Sequence, residues 1–158
     1  MEEINPSTIV QSTRRSALYL WSGLSLALTL FFVQSQLVFV KREPLPTQQI
    51  EWMMVGLGVI TFLFGLFFFQ NYTKLRRTQL MKMPFAERKQ TILVAFVFQF
   101  VLFETLGLYG VLISVLTQST EKAVPFILFA YLGFYLSFPR KEKIEAFFKS
   151  AGGEALSS

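Results

Sequence analysis

The chain has 158 residues, of which 53% are hydrophobic, and it carries a formal net charge of +5. A mean hydropathy of +0.47, with 19 Phe against 10 acidic residues, is too apolar for an ordinary soluble domain. The chain has no Cys and no His, which removes disulfides and the commonest zinc, haem and iron–sulfur ligands. It also removes His-dependent acid–base and nucleophilic catalysis. We therefore expect neither an enzyme nor a metal or resident cofactor.

Four apolar stretches predict an all-α, polytopic membrane protein. They cover about residues 16–40, 52–70, 91–117 and 123–138. A spanning helix needs about 20 mostly apolar residues, so the first three suffice and the fourth must gain length from its flanks. The first stretch is too long for the apolar region of a signal peptide and is read as a retained helix. The prediction is a single membrane domain, 16–138, of four transmembrane helices in two antiparallel hairpins.

The two ends of the chain are predicted to lie outside this membrane domain. Residues 1–15 form a polar N-terminal segment, and residues 139–158 form a tail whose first part, 141–150, reads as an amphipathic juxtamembrane helix. We expect the last seven residues to be disordered. The loop at 41–51 contains two prolines and is expected to be extended, whereas 118–122 forms a tight turn between the last two spanning helices.

The Lys and Arg residues predict the orientation of the helices. If all four stretches span, twelve basic residues share one side and three lie on the other. The twelve are Arg14, Arg15, Lys74, Arg76, Arg77, Lys82, Arg88, Lys89, Arg140, Lys141, Lys143 and Lys149, against Lys41, Arg42 and Lys122. By the positive-inside rule both termini and the central loop are cytoplasmic, in the inner membrane if the protein is bacterial. The expected partners are the lipid bilayer and anionic headgroups at the basic loop, and not nucleic acid.

One charged residue interrupts the third stretch. Glu104 is the only Lys, Arg, Asp or Glu between Thr91 and Thr117. Charge is expensive at membrane depth, and desolvation favours the neutral, protonated carboxyl group. At about 100° per residue, Glu104 lies within roughly 120° of Gly107, Gly110 and Ser114. These three small residues predict close helix packing beside the acid, with Glu104 directed into the seam between helices.

The segment Phe103–Ile113 resembles the carboxylate helix of the c subunit, or proteolipid, of rotary F-type and V-type ATPases. That helix carries an essential Glu or Asp, then a Leu-Gly/Ala-x-Tyr/Phe-Gly pattern and an aliphatic run. The resemblance implies that Glu104 binds H⁺ or Na⁺, that Thr105 matches the hydroxyl residue of sodium-binding members, and that Tyr109 matches the hydrogen-bonding Tyr. It also implies a homo-oligomer.

Two functions remain open at this point. The first is a proton- or sodium-handling membrane subunit that uses Glu104. The second is a non-transporting assembly or scaffold subunit of a larger membrane complex, in which Glu104 is structural. In either case we expect the small face formed by Gly107, Gly110 and Ser114 to receive the second spanning helix, another copy of the chain or a larger partner.

Overall fold

The computed structural model describes residues 6–37 and 48–150, and its regular structure there consists of six α-helices without strands. The all-α prediction is therefore confirmed. Residues 41–47 of the loop predicted at 41–51 and the C-terminal end of the tail lie outside the described residues. The last four residues of that predicted loop, 48–51, are helical and form the first turn of α2, so the loop prediction is wrong there. The helices are α1 (Pro6–Leu37), α2 (Gln48–Leu75), α3 (Arg77–Lys82), α4 (Phe85–Thr117), α5 (Thr120–Leu136) and α6 (Lys141–Ser150).

Three of these helices are long and apolar enough to cross a membrane. They provide the spans Ser7–Leu37, Gln48–Leu75 and Glu87–Thr117. The helix α5 has 17 residues and meets that test only together with α6, from which it is separated by a bend of 58°. The chain thus has three candidate spans, or four if the bent pair counts as one, and the multi-pass prediction is confirmed at this level.

The long helices extend beyond the apolar stretches that predict them. The helix α1 begins at Pro6 and includes most of the predicted N-terminal segment. The helix α4 has 33 residues and is about 50 Å long, whereas the hydrocarbon core of a bilayer measures about 30 Å. Helical hydrogen bonding continues through polar residues, so a hydropathy boundary does not mark a helix end. The chain does break after α2, and Pro84 precedes α4 where its missing N–H costs no helical hydrogen bond.

The helix α4 is the centre of the bundle. It packs against α1, α2 and α5, and both α1 and α2 also contact α5. Phe103 of α4 is fully buried where three helices meet, beside Gly65 of α2 and Gly133 of α5. A Cβ atom on Gly65 would lie 2.8 Å from Cε1 of Phe103, and one on Gly133 would overlap the ring more severely. The two glycines therefore create the space that this phenyl ring fills.

Two groups of contacts fix the ends of the bundle. At one end, which we call the N-terminal end, Nζ of Lys89 donates a hydrogen bond to Oγ of Ser12 at 2.6 Å. At the opposite end, Nζ of Lys122 lies 2.6 Å from Oε1 of Glu51. Next to that ion pair, Gln118 adopts a left-handed conformation with φ 54° and turns the chain from α4 into α5.

The helix α6 covers the N-terminal end of the bundle. Its apolar side chains Ile144, Phe147 and Phe148 are buried, and it packs against the first turns of α1. Nζ of Lys143 lies 4.5 Å from the centre of the Phe69 ring, a distance at which a cation is attracted to the ring face. This helix occupies the part of the tail for which the sequence predicts an amphipathic helix.

Candidate functional site on α4

Glu104 lies near the middle of α4. It follows Lys89 by 15 residues and precedes Thr117 by 13, which places it about 20 Å from each along the helix axis. Its side chain is half-buried. Within the described ranges, no hydrogen bond or ion pair joins the carboxyl group to another residue. The structure thus places an unpartnered, half-buried acid near the middle of a candidate span.

The acid borders an apolar, exposed surface of α4. We call this surface the exposed α4 face, and it consists of Val94, Val101, Leu108, Leu112 and Val115. Val101 is 42% exposed and Leu108 is 38% exposed, and both lie within about 60° of Glu104 around the helix. Gly107 lies about 60° away on the other side, where α1 packs. Glu104 therefore stands at the edge between α1 and the exposed α4 face, rather than inside a seam as expected.

Thr105 and Tyr109 do not converge on the acid. Oγ1 of Thr105 donates a hydrogen bond to the carbonyl oxygen of Val101 at 2.8 Å. Tyr109 is half-buried against the hydrophobic core, about 140° around the helix from Glu104. The single chain therefore does not assemble the ion-coordinating group that the resemblance implies from these three residues.

The small residues beside the acid pack against helices of the same chain. A Cβ on Gly107 would overlap Leu28 of α1, and one on Gly110 would lie 2.9 Å from Cβ of Phe126 and 3.0 Å from the carbonyl oxygen of Ala123 in α5. Ser114 is fully buried. The expected close packing is present, but α1 and α5 fill this face, not α2 or a second copy. A larger residue at Gly110 would consequently disturb the packing of α5 on α4 within one chain. Its effect would not show whether two copies of the chain associate through this face.

Two glutamines form interhelical contacts that the sequence did not single out. The amide nitrogen of Gln36 lies 3.3 Å from Oγ of Ser114, and its Oε1 accepts a hydrogen bond from Oγ1 of Thr120, so Gln36 joins α1 to both α4 and α5. Gln99 is 2% exposed and donates from Nε2 to the carbonyl oxygen of Gly65 in α2 at 2.9 Å. The sequence places Gln36 near a membrane interface beside other polar residues, and only the packing distinguishes it from them.

The described part of the chain contains no group of three or more acidic residues that could hold a metal ion. Comparisons with protein-family models, curated proteins and solved structures found no match for this chain. Glu104 is therefore the residue of this face from which a function can be inferred. A protonated carboxyl group there can donate a hydrogen bond or exchange its proton, and an ionised one can bind a cation.

Proposed function

We propose that this protein is a small multi-pass subunit of a membrane assembly and that Glu104 exchanges a proton or a sodium ion at the exposed α4 face. The observation that carries the proposal is the half-buried, unpartnered carboxyl group near the middle of a candidate span. Ionisable groups in such positions are costly and mark ion pathways or partner contacts in membrane proteins. A purely structural hydrogen bond is a weak reason for an acid here, because interhelical polar contacts average only about 0.6 kcal/mol.

A neighbouring subunit, either a second copy or a different chain, completes the site. Hard cations prefer several oxygen ligands, and Thr105 and Tyr109 are not directed at Glu104 within one chain. The exposed α4 face offers an apolar surface beside the acid on which a partner helix can pack. A partner there would supply the missing oxygen atoms and shield the carboxyl group from lipid.

We also propose four spanning helices with both termini in the cytoplasm. The Ser12–Lys89 contact and α6 belong to the N-terminal end of the bundle, and the Glu51–Lys122 pair belongs to the other end. This arrangement agrees with twelve basic residues on one side and three on the other. The N-terminal end would then face anionic cytoplasmic headgroups.

The second candidate function is a non-transporting scaffold subunit. In that case Glu104 stays protonated and donates a hydrogen bond to the partner that covers the exposed α4 face. The separation of Thr105 and Tyr109 from Glu104 favours this alternative, since a scaffold needs no coordinating group.

Infrared difference spectroscopy of the assembly in native-like vesicles separates the two functions. The carbonyl stretch of a protonated carboxyl group is followed while pH is raised, or while sodium replaces choline at constant pH, in wild type and in Glu104→Gln. Ion handling predicts a band that disappears reversibly under at least one of these changes and is absent from Glu104→Gln. A band that is lost in Glu104→Gln but unchanged by both pH and sodium would establish the scaffold function instead.

A further inference from the structure

An apolar groove runs along the surface of the bundle between α2, α4 and α5. Its volume is about 430 Å³. Leu106 and Phe126 are buried in its floor, whereas Val55, Val59 and Phe129 on its walls are between 41% and 54% exposed, so the groove opens sideways toward the lipid. Leu106 lies about 200° around α4 from Glu104, which makes the groove independent of the proposed ion site.

The dimensions of the groove suit a single acyl chain. From Glu51 to Leu63 it follows 12 residues of α2, or about 18 Å, which is close to the half-thickness of about 15 Å of the bilayer core. The volume of the groove lies within the range of about 300–1,000 Å³ for small-ligand sites.

Charge is confined to one end of the groove. Lys122 and Glu51 form an ion pair there, and 46% of the Lys122 side chain is exposed. Nζ of Lys122 has three N–H donors, of which the bond to Glu51 uses one, so it can also donate to a phosphate, and the remaining wall is apolar to the depth of Leu63. A single molecule with a phosphate at one end and a hydrocarbon chain about one leaflet long matches both features.

We propose that this groove binds one phospholipid, with an acyl chain between α2 and α5 and its phosphate beside Lys122. The lipid belongs to the leaflet at the Glu51–Lys122 end of the bundle. At Gly58 the groove has its floor, because Phe126 and Leu106 pack directly against the backbone of α2 there, and the lipid chain would lie over these two side chains. The bound chain thereby completes the packing of α2 against the α4–α5 pair.

Native mass spectrometry of the full chain, purified in mild detergent and titrated with phosphatidylethanolamine, tests the proposal. Val59→Trp fills the groove, whereas Ile60→Trp adds the same side chain to the neighbouring, 65% exposed position outside it. Both variants are first checked for wild-type helicity and a single size-exclusion peak. We expect one tightly bound lipid per chain in wild type and in Ile60→Trp, and at least tenfold weaker binding in Val59→Trp.

The headgroup contact has its own control. Lys122→Gln should weaken binding about fivefold, as expected for the loss of one basic group near a lipid phosphate. Diacylglycerol with the same acyl chains lacks the phosphate. Its binding to wild type should be about fivefold weaker than that of phosphatidylethanolamine, the same loss that Lys122→Gln causes. Equal lipid binding by Val59→Trp and Ile60→Trp would overturn the proposal. Diacylglycerol binding as tightly as the phospholipid, or a protein helix found cross-linked in the groove of the native assembly, would do the same.

Discussion

Phe103 and Glu104 are consecutive residues with opposite surroundings. Phe103 is fully buried between α2 and α5, whereas Glu104 is only half-buried beside the exposed α4 face. One step along a helix turns the side chain by about 100°, which is enough to move from the core to the surface. The core residue fixes the rotation of α4 within the bundle, and that rotation determines where the acid is presented.

Replacing the glycine that accommodates Phe103 tests this packing. Gly133→Ala places a methyl group against the Phe103 ring and should lower the free energy of unfolding by about 1–3 kcal/mol, as overpacking does in well-packed cores. Gly56→Ala is the control, because no atom lies within 4 Å of its added Cβ. It should leave stability unchanged or raise it by up to about 1 kcal/mol. The measurement is reversible unfolding in mixed micelles, and equal effects of the two variants would mean that Phe103 does not occupy this position.

The sequence predicts the candidate residues of the site but not their neighbours. The isolation of Glu104 in an apolar stretch and the small residues that follow it are visible directly in the sequence. The identity of the covering helices is not, because α1, α2, α4 and α5 are each apolar around much of their circumference. The lipid-facing and protein-facing sides of a helix then have similar composition. Hydrophobic periodicity therefore does not predict which side of α4 faces a neighbouring helix, or which way Glu104, Thr105 and Tyr109 point.

At the scale of helices, polar contacts hold α1 against the α4–α5 pair. Gln36 reaches Ser114 and Thr120 on two different helices, and Trp21 donates from Nε1 to the carbonyl oxygen of Phe134 at 3.0 Å. Hydrophobic burial provides little preference between lipid and protein in a bilayer, so such contacts and close packing specify which helices associate. They explain how α1 stays in the bundle although it makes little direct contact with α2, the next helix along the chain.

Removal of the Gln36 amide should weaken the attachment of α1. Gln36→Leu loses the hydrogen bonds to α4 and α5 and should lower the free energy of unfolding by about 0.6–1.7 kcal/mol, the range measured for interhelical polar contacts. Gln34→Leu, at an exposed position two residues earlier, should change it by less than about 0.5 kcal/mol. Equal losses from both variants in the same unfolding assay would show that Gln36 does not bridge the helices.

Helix existence was more predictable than helix ends. Length and hydropathy identify the three long spans, because about 20 apolar residues must form a helix to satisfy their backbone groups in lipid. The same criterion fails for the first ten residues of α1 and the first turns of α4, which are helical outside the apolar stretches. The short α5 meets the length and hydropathy criterion only when its flanking residues are included. Hydropathy does not predict the bend between α5 and α6.

At the scale of the whole molecule, the distribution of basic residues implies a defined orientation in the membrane. The chain contains no native Cys, so single cysteines can be introduced without background labelling. Cys at Ser119 should react with an impermeant thiol reagent added to intact cells, and Cys at Thr78 should react only after permeabilisation. Labelling of Thr78→Cys from outside would reverse the proposed topology, and would place α3 on the side opposite the cytoplasm.

We propose that Glu104 presents a protonated carboxyl group within the membrane, beside the exposed α4 face. An apolar carbodiimide, which reacts with protonated carboxyl groups in apolar surroundings, tests this claim in native membranes, with the modified residues identified by mass spectrometry. Glu87 and Glu142, both exposed near the N-terminal end of the bundle, serve as internal references, and Glu104→Gln serves as the negative control. We expect Glu104 to be modified well before the two references. Equal modification of all three residues, or an unreactive Glu104, would contradict it.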